Sequence, residues 1–145
     1  MSSTLVLDAN IIIRAVLGKK VREHLSEFSE IVDFFTPDTC VEEVQKHLPT
    51  IFKKRGISSE LPLQVFSHIQ NLLQIIDSGL YQEREHEAKK RMKSRDLDDW
   101  PVVATALLFN CPIWTEDKDF FGVGIPIWTT DRIHLFFDSL NEQNL

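Results

Sequence analysis

The stretch "PIWTEDKDFFGVGIPIWTTD", from Pro112 to Asp131, states one phrase twice. Pro-Ile-Trp-Thr-x-Asp runs from Pro112 to Asp117 and again from Pro126 to Asp131. Each copy is a short apolar run that a proline opens and a Thr-x-Asp closes. Each therefore reads as a strand that delivers a hydroxyl and a carboxylate to its C-terminal end. Whether the two aspartates do the same work depends on where the two strands lie in their sheet.

Working outward from the repeat, "VVATALLF" (Val102 to Phe109) is apolar on every face, as a helix buried on most sides would be, and Asn110 and Pro112 end it. The chain opens on a strand, "TLVLD", that stops at Asp8. From Asn10, the residues Ile12, Ile13, Val16, Val21, Leu25 and Phe28 recur at helical spacing. "IVDFFTP" reads as a second strand stopped by Pro37. Val41, Val44, Leu48, Ile51 and Phe52 mark a helix bent at Pro49, and Pro62 opens another that carries Val65, Phe66, Ile69, Leu72 and Leu73. "LQIIDSG" is a short third strand. "YQEREHEAKKRMKSR" is a solvated helix in which Glu85–Lys89 and Glu87–Arg91 sit one turn apart. "DRIHLFFDSL" closes the chain as an amphipathic helix. Strands alternating with helices predict a three-layer α/β/α fold whose mainly parallel sheet is covered on both faces. In such folds the ligand crevice lies at the carboxyl ends of the strands.

The 145 residues suit one domain, 1–145. A net charge of -6 argues against a broad phosphate-binding surface, unless the acids are gathered to hold metal. Cys40 and Cys111 are expected to be buried, reduced thiols. The absence of a basic, apolar leader and of a membrane span predicts a cytoplasmic protein with no membrane partner.

The acids at the strand ends carry the chemistry. Taken one at a time, Asp8, Asp117 and Asp131 are ordinary N-caps or turn residues. With Glu43 and Asp99, which lie early in helices on the same sheet edge, Asp8 and Asp117 give four carboxylates converging on one crevice. Such a cluster raises its own pKa values unless a cation sits within it. Hard oxygen ligands without Cys or His select Mg²⁺ or Mn²⁺. At about 100° per residue, the apolar stripe of the second long helix leaves Glu42 opposite the core and puts Glu43 on its flank. The same geometry leaves Asp98 and Asp99 undecided. The five histidines show no metal-ligand spacing, and Trp100, Trp114 and Trp128 are expected in the core.

"LVLDAN", "TPDTCVEEV", "RDLDDWPVVATAL" and "IWTEDKDF" resemble, in order and over nearly the whole chain, the successive acidic motifs of PIN-domain nucleases. The resemblance implies a five-stranded sheet of order 3-2-1-4-5. It puts the third acid at Asp99 and the fourth at Asp117, with Asp119 as an accessory. Asn10 and Thr115 resemble the family's supporting polar residues, which hold the carboxylates in position. Asp117 then ends an inner strand beside Asp8, while Asp131 ends the edge strand and caps the last helix. The activity implied is Mg²⁺- or Mn²⁺-dependent endonucleolytic hydrolysis of single-stranded RNA to 5′-phosphate and 3′-hydroxyl ends. The subset it most resembles is the VapC-type toxin ribonucleases, so an antitoxin protein and a homodimer are the partners to expect. The basic residues Lys89, Lys90, Arg91, Lys93 and Arg95 form either a solvated helix face or a contact for the RNA backbone. Two other readings compete. A non-catalytic PIN-like RNA-binding module would be free to discard its acids. A phosphotransfer receiver using Asp77 would need paired acids after the first strand and a lysine after the last, and Asp8-Ala9-Asn10 and Asp131-Arg132 supply neither.

Overall fold

In the computed structural model, which describes residues 3–58 and 60–143, the apolar runs become five parallel strands. These are β1 (Ser3–Leu7), β2 (Val32–Pro37), β3 (Gln74–Ile76), β4 (Ile113–Trp114) and β5 (Ile127–Trp128). Their order is β3-β2-β1-β4-β5, as the family resemblance implies. Leu5 pairs with Phe34, Leu7 with Trp114, and Trp114 with Trp128, so the two copies of the repeated phrase lie side by side in register. The inner copy is the first one. The central strand ends in Leu5, Val6 and Leu7, all fully buried, as a strand covered on both faces must be.

The helices are α1 (Ala9–Leu17), α2 (Lys19–Phe28), α3 (Asp38–Arg55), α4 (Glu60–Leu72), α5 (Ser78–Tyr81), α6 (Glu85–Arg91), α7 (Trp100–Phe109) and α8 (Ile133–Gln143). α1 packs with α2, α3 and α4, while α5, α6 and α7 pack together and α7 lies against β1, β2 and β4. The apolar segment "VVATALLF" is thus the central buried helix that its composition demanded. Trp114 is fully buried, edge-on to Phe137 at 6.0 Å between ring centroids. Trp100 and Trp128, expected in the core, are only half-buried at its rim. Both thiols are buried and free, and burial pushes Cys111 up to about 11 and Cys40 well above its ordinary value. Among the described residues no helix is long and apolar enough to cross a membrane.

The continuous helical spacing from Asn10 to Phe28 conceals a break. At Gly18 the backbone is extended (φ -125°, ψ 162°), and α1 ends where α2 begins. The guanidinium of Arg22 donates to the carbonyls of Ala15 (3.1 Å) and Val16 (3.4 Å), replacing partners a continuous helix would have given them. Both helices turn apolar faces into the same core, so the periodicity runs on through the bend.

His24, stacked on Phe137 at 5.1 Å, has both ring nitrogens buried without a hydrogen-bond partner. Burial and the nearby Lys20 push its pKa down, so the unfolded chain takes up the proton first and the contribution of His24 to stability falls as pH drops below about 6.5, against the opposite slope of the raised carboxylates. His24→Phe should stabilise the protein by about 1 kcal/mol in urea melts near neutral pH, because an unsatisfied polar group leaves the interior. It should also flatten the loss of stability between about pH 7 and 5.5. An unchanged pH slope in the variant would count against this assignment.

Candidate active site

β1 delivers Asp8 to the crevice, and its backbone N–H donates to the Trp114 carbonyl at 3.1 Å, which fixes Asp8 against β4. The side chain is only 5% exposed. Its Oδ1 accepts from the Ala9 N–H (2.8 Å), capping α1, with the Cys40 Sγ at 4.0 Å. Its Oδ2 accepts from the Thr115 hydroxyl (2.7 Å) and the Asn10 amide (3.0 Å). Asp8 is therefore a cap and a member of the crevice at once. The Asn10 amide also reaches Thr115 Oγ1 (3.3 Å), while Asn10 Oδ1 accepts from the Glu116 N–H (3.2 Å). Thr115 Oγ1 in turn accepts from the Asp117 N–H (3.0 Å). An amide and a hydroxyl thus tie the first acid to the backbone that carries the fourth.

Asp117 opens the 3₁₀ turn Lys118–Phe120, its Oδ1 accepting from the Asp119 N–H at 2.9 Å. Asp99 occupies the N-cap position of α7 but makes no capping hydrogen bond. Capping in this segment falls to Asp96, which accepts from the Asp98 N–H at 3.1 Å, and the Asp99 carboxylate is left uncommitted. Asp99, Asp117 and Asp119 each place one oxygen so that all three lie within 4.8 Å of one another. Across from them, α3 presents Glu43. With Thr39, Cys40, Asp96, Asp98 and Asp99 it lines a cavity of about 290 Å³, and Glu42 is not part of that lining.

Charge crowding is visible in the proton affinities. Burial pushes Asp99 up to about 8, and repulsion from Asp8, Asp96, Asp117 and Glu43 adds to it. Burial also pushes Asp8 up to about 6, with Glu43 and Asp117 adding and the bonds from Thr115 and Ala9 opposing. Carboxylates that hold protons near neutrality are a site that prefers added positive charge. The donors are oxygens alone, the set that suits a hard divalent cation such as Mg²⁺ or Mn²⁺.

Of the basic residues, two are already engaged. Lys89 pairs with Glu85 at 3.1 Å and lies 5.3 Å from the centroid of the Trp100 ring. Arg91 donates to Glu87 (3.0 Å) and to the carbonyls of Val123 (3.0 Å) and Gly124 (3.4 Å), tying α6 to the loop before β5. Lys90 and Lys93 are exposed, and Arg95 is half-buried. Asp77 caps α5 through the Gly79 N–H at 2.9 Å.

The expected role of Asp131 as cap of the last helix needs correction. α8 begins two residues later, at Ile133, and the Asp131 carboxylate accepts instead from the Thr129 hydroxyl, closing the preceding turn. Three contributors had not been anticipated from sequence. Asp96 could have been found from the Asp-x-Asp spacing of a side-chain-capped turn. Cys40, behind Asp8, and Glu116, which joins Asn10 to β5 by accepting from the Thr130 N–H at 2.6 Å, had no sequence signal.

Known structures share this architecture. The chain is similar to VapBC2 from Rickettsia felis, solved with a promoter DNA fragment (14% identity, 87% of this chain and 98% of that one, TM-score 0.66). It is also similar to PAE2754 from Pyrobaculum aerophilum (10% identity, 96% and 98%, TM-score 0.70). A toxin–antitoxin complex from Klebsiella pneumoniae is a third (22% identity, 86% and 96%, TM-score 0.59). No curated protein matches the chain by sequence. A family model described as the PIN domain matches residues 6–138. With that match over most of its length, the chain belongs to the PIN-domain family.

Proposed function

We propose that the protein, as one nuclease domain over residues 1–145, is a Mg²⁺- or Mn²⁺-dependent endoribonuclease that hydrolyses single-stranded RNA in the cytoplasm. The observation that carries this reading is the uncommitted Asp99 carboxylate, raised to about 8 by burial and by its acidic neighbours, in a crevice of oxygen donors. Asp8, Glu43, Asp99 and Asp117 would hold the cation, with Asp119 as an accessory. A cation bound there supplies an acidified water for attack on phosphorus and neutralises the charge that builds on the phosphate and leaving oxygen. The chain's own part is positioning. Thr115 and Asn10 hold Asp8 Oδ2 in place while the Ala9 N–H holds Oδ1, and the bond from Asp117 N–H to Thr115 sets the fourth carboxylate against the first. Lys90, Lys93 and Arg95 are free of ion pairs among the described residues and can meet RNA phosphates.

One of the similar structures is a toxin–antitoxin complex and another is VapBC2, so a toxin role, an antitoxin partner and a homodimer belong to the same proposal. Purified protein should cut single-stranded RNA only when Mg²⁺ or Mn²⁺ is supplied, leaving 5′-phosphate and 3′-hydroxyl ends. Cleavage that survives a chelator would overturn the mechanism.

A further inference from the structure

A second cavity, of about 470 Å³, lies where α1, the Gly18 break, α2 and the end of α3 meet the Thr130 end of β5. Its lining carries four cations, Arg14, Lys19, Lys20 and Arg55, and no acid, over a floor that includes Ile13 and Leu17. In a chain of net charge -6 that is a local reversal of sign. Lys19 meets Glu23 at 3.7 Å on the outer surface, where both side chains are more than half exposed and such a pair is weak and screened. Lys20 and Arg55 make no ion pair among the described residues. The Gly18 break puts these charges here, because it turns α2 away from α1 and brings the two lysines of its first turn beside Arg14. Lysines in a first helical turn meet the positive end of the helix dipole, so this placement costs helix stability unless an anion joins them.

The cavity also communicates with the acidic crevice. Arg14 follows Asn10 by one turn on the same face of α1. Glu116 stands between the two sites, with its backbone N–H on Asn10 Oδ1 (3.2 Å) and its carboxylate taking the Thr130 N–H (2.6 Å) and approaching Arg14 at 4.0 Å.

We infer that this pocket binds phosphates of the RNA strand a few nucleotides from the bond cleaved in the acidic crevice, with a base resting on the apolar floor. The inference rests on the ribonuclease reading and adds a docking site that the acids cannot provide. A polyanion repelled by the crevice is held beside it by the only kind of contact that outweighs the protein's negative charge, a compact group of cations.

The test is binding of a short fluorescent single-stranded RNA in chelator, where no metal-dependent cleavage occurs, followed across a salt series. The triple variant Lys19→Ala/Lys20→Ala/Arg55→Ala should bind at least about 10-fold more weakly, and the slope of log K against log salt should shrink by about 2, the loss of three single-strand phosphate contacts. Thermal melts check that the variant folds, and the charge-preserving set Lys19→Arg/Lys20→Arg/Arg55→Lys should restore binding. Unchanged affinity and slope in the alanine variant would overturn the pocket. So would tighter binding of duplex DNA than of RNA by the parent, with that DNA binding lost in the variant. Cleavage assays with metal separate the two ideas. A parent that binds RNA through these cations but never cuts it defeats the ribonuclease reading and leaves the pocket. A triple alanine variant that cuts RNA as well as the parent defeats the pocket alone.

Discussion

Asp99→Asn should lower metal-dependent RNA cleavage by about 100-fold or more, the scale of losing one preorganised electrostatic group, while making the metal-free protein harder to melt. The two effects have one cause. Asp99 makes no capping bond that its loss would break, and its neighbours are carboxylates. The isosteric amide removes a proposed metal ligand and a source of repulsion together. A stability trend with pH follows from the same charges. Asp99 titrates at about 8 and Asp8 at about 6 in the fold, against an ordinary 3.8 for each. Between about pH 4 and 8 the folded state therefore keeps protons that the unfolded chain has lost, and the stability of the metal-free protein falls as pH rises through that window. In Asp99→Asn the fall should end near pH 6, where Asp8 finishes titrating. Saturating Mg²⁺ should abolish it in the parent, because the ion takes the place of the protons. Melting curves at several pH values, with chelator and with metal, read all of this. A metal-free Asp99→Asn protein that melts lower than the parent would show that the carboxylate stabilises the fold, and the site would need another account.

Glu43→Gln should cost activity on the same scale of about 100-fold, whereas Glu42→Gln should leave most of it. The two residues are adjacent on α3 and both are exposed, so exposure does not separate them. Direction does. Glu43 lines the crevice with Asp99 and raises the proton affinity of both Asp8 and Asp99, and Glu42 does neither. The comparison is made at equal thermal stability with saturating metal. Equal losses in the two variants would mean that α3 is rotated about its axis relative to this structure.

The Glu42 and Glu43 assignment was legible in the sequence because a helix has a fixed period, and the apolar stripe of α3 sets its phase. The strand alternation and the buried α7 were legible for the same kind of reason. The strand order was not, since two-residue strands carry no pairing signal of their own, and the family resemblance supplied it. Asp98 and Asp99 could not be separated because α7 is apolar all round, and there the resemblance again chose. Composition concealed two features. The net negative charge masked the cations of the Gly18 pocket, which come from three segments and meet only in the fold. Hydrophobic periodicity ran straight through the Gly18 break. Asp131 was misread because the last helix starts later than its sequence signal, leaving that carboxylate to a turn.

The bond from Thr115 to Asp8 spans 107 residues of chain, and the carbonyl that fixes the Asp8 backbone belongs to Trp114. Translation delivers the N-terminus first. A growing chain therefore carries Asp8 with only its local partners Ala9 and Asn10 until β4 has left the ribosome. Products of early termination before Ile113 keep three of the four acids but lose the Thr115 hydroxyl and the Trp114 carbonyl that fix Asp8 against β4. Fragments of that length should be catalytically silent, so activity should appear only in chains that include β4.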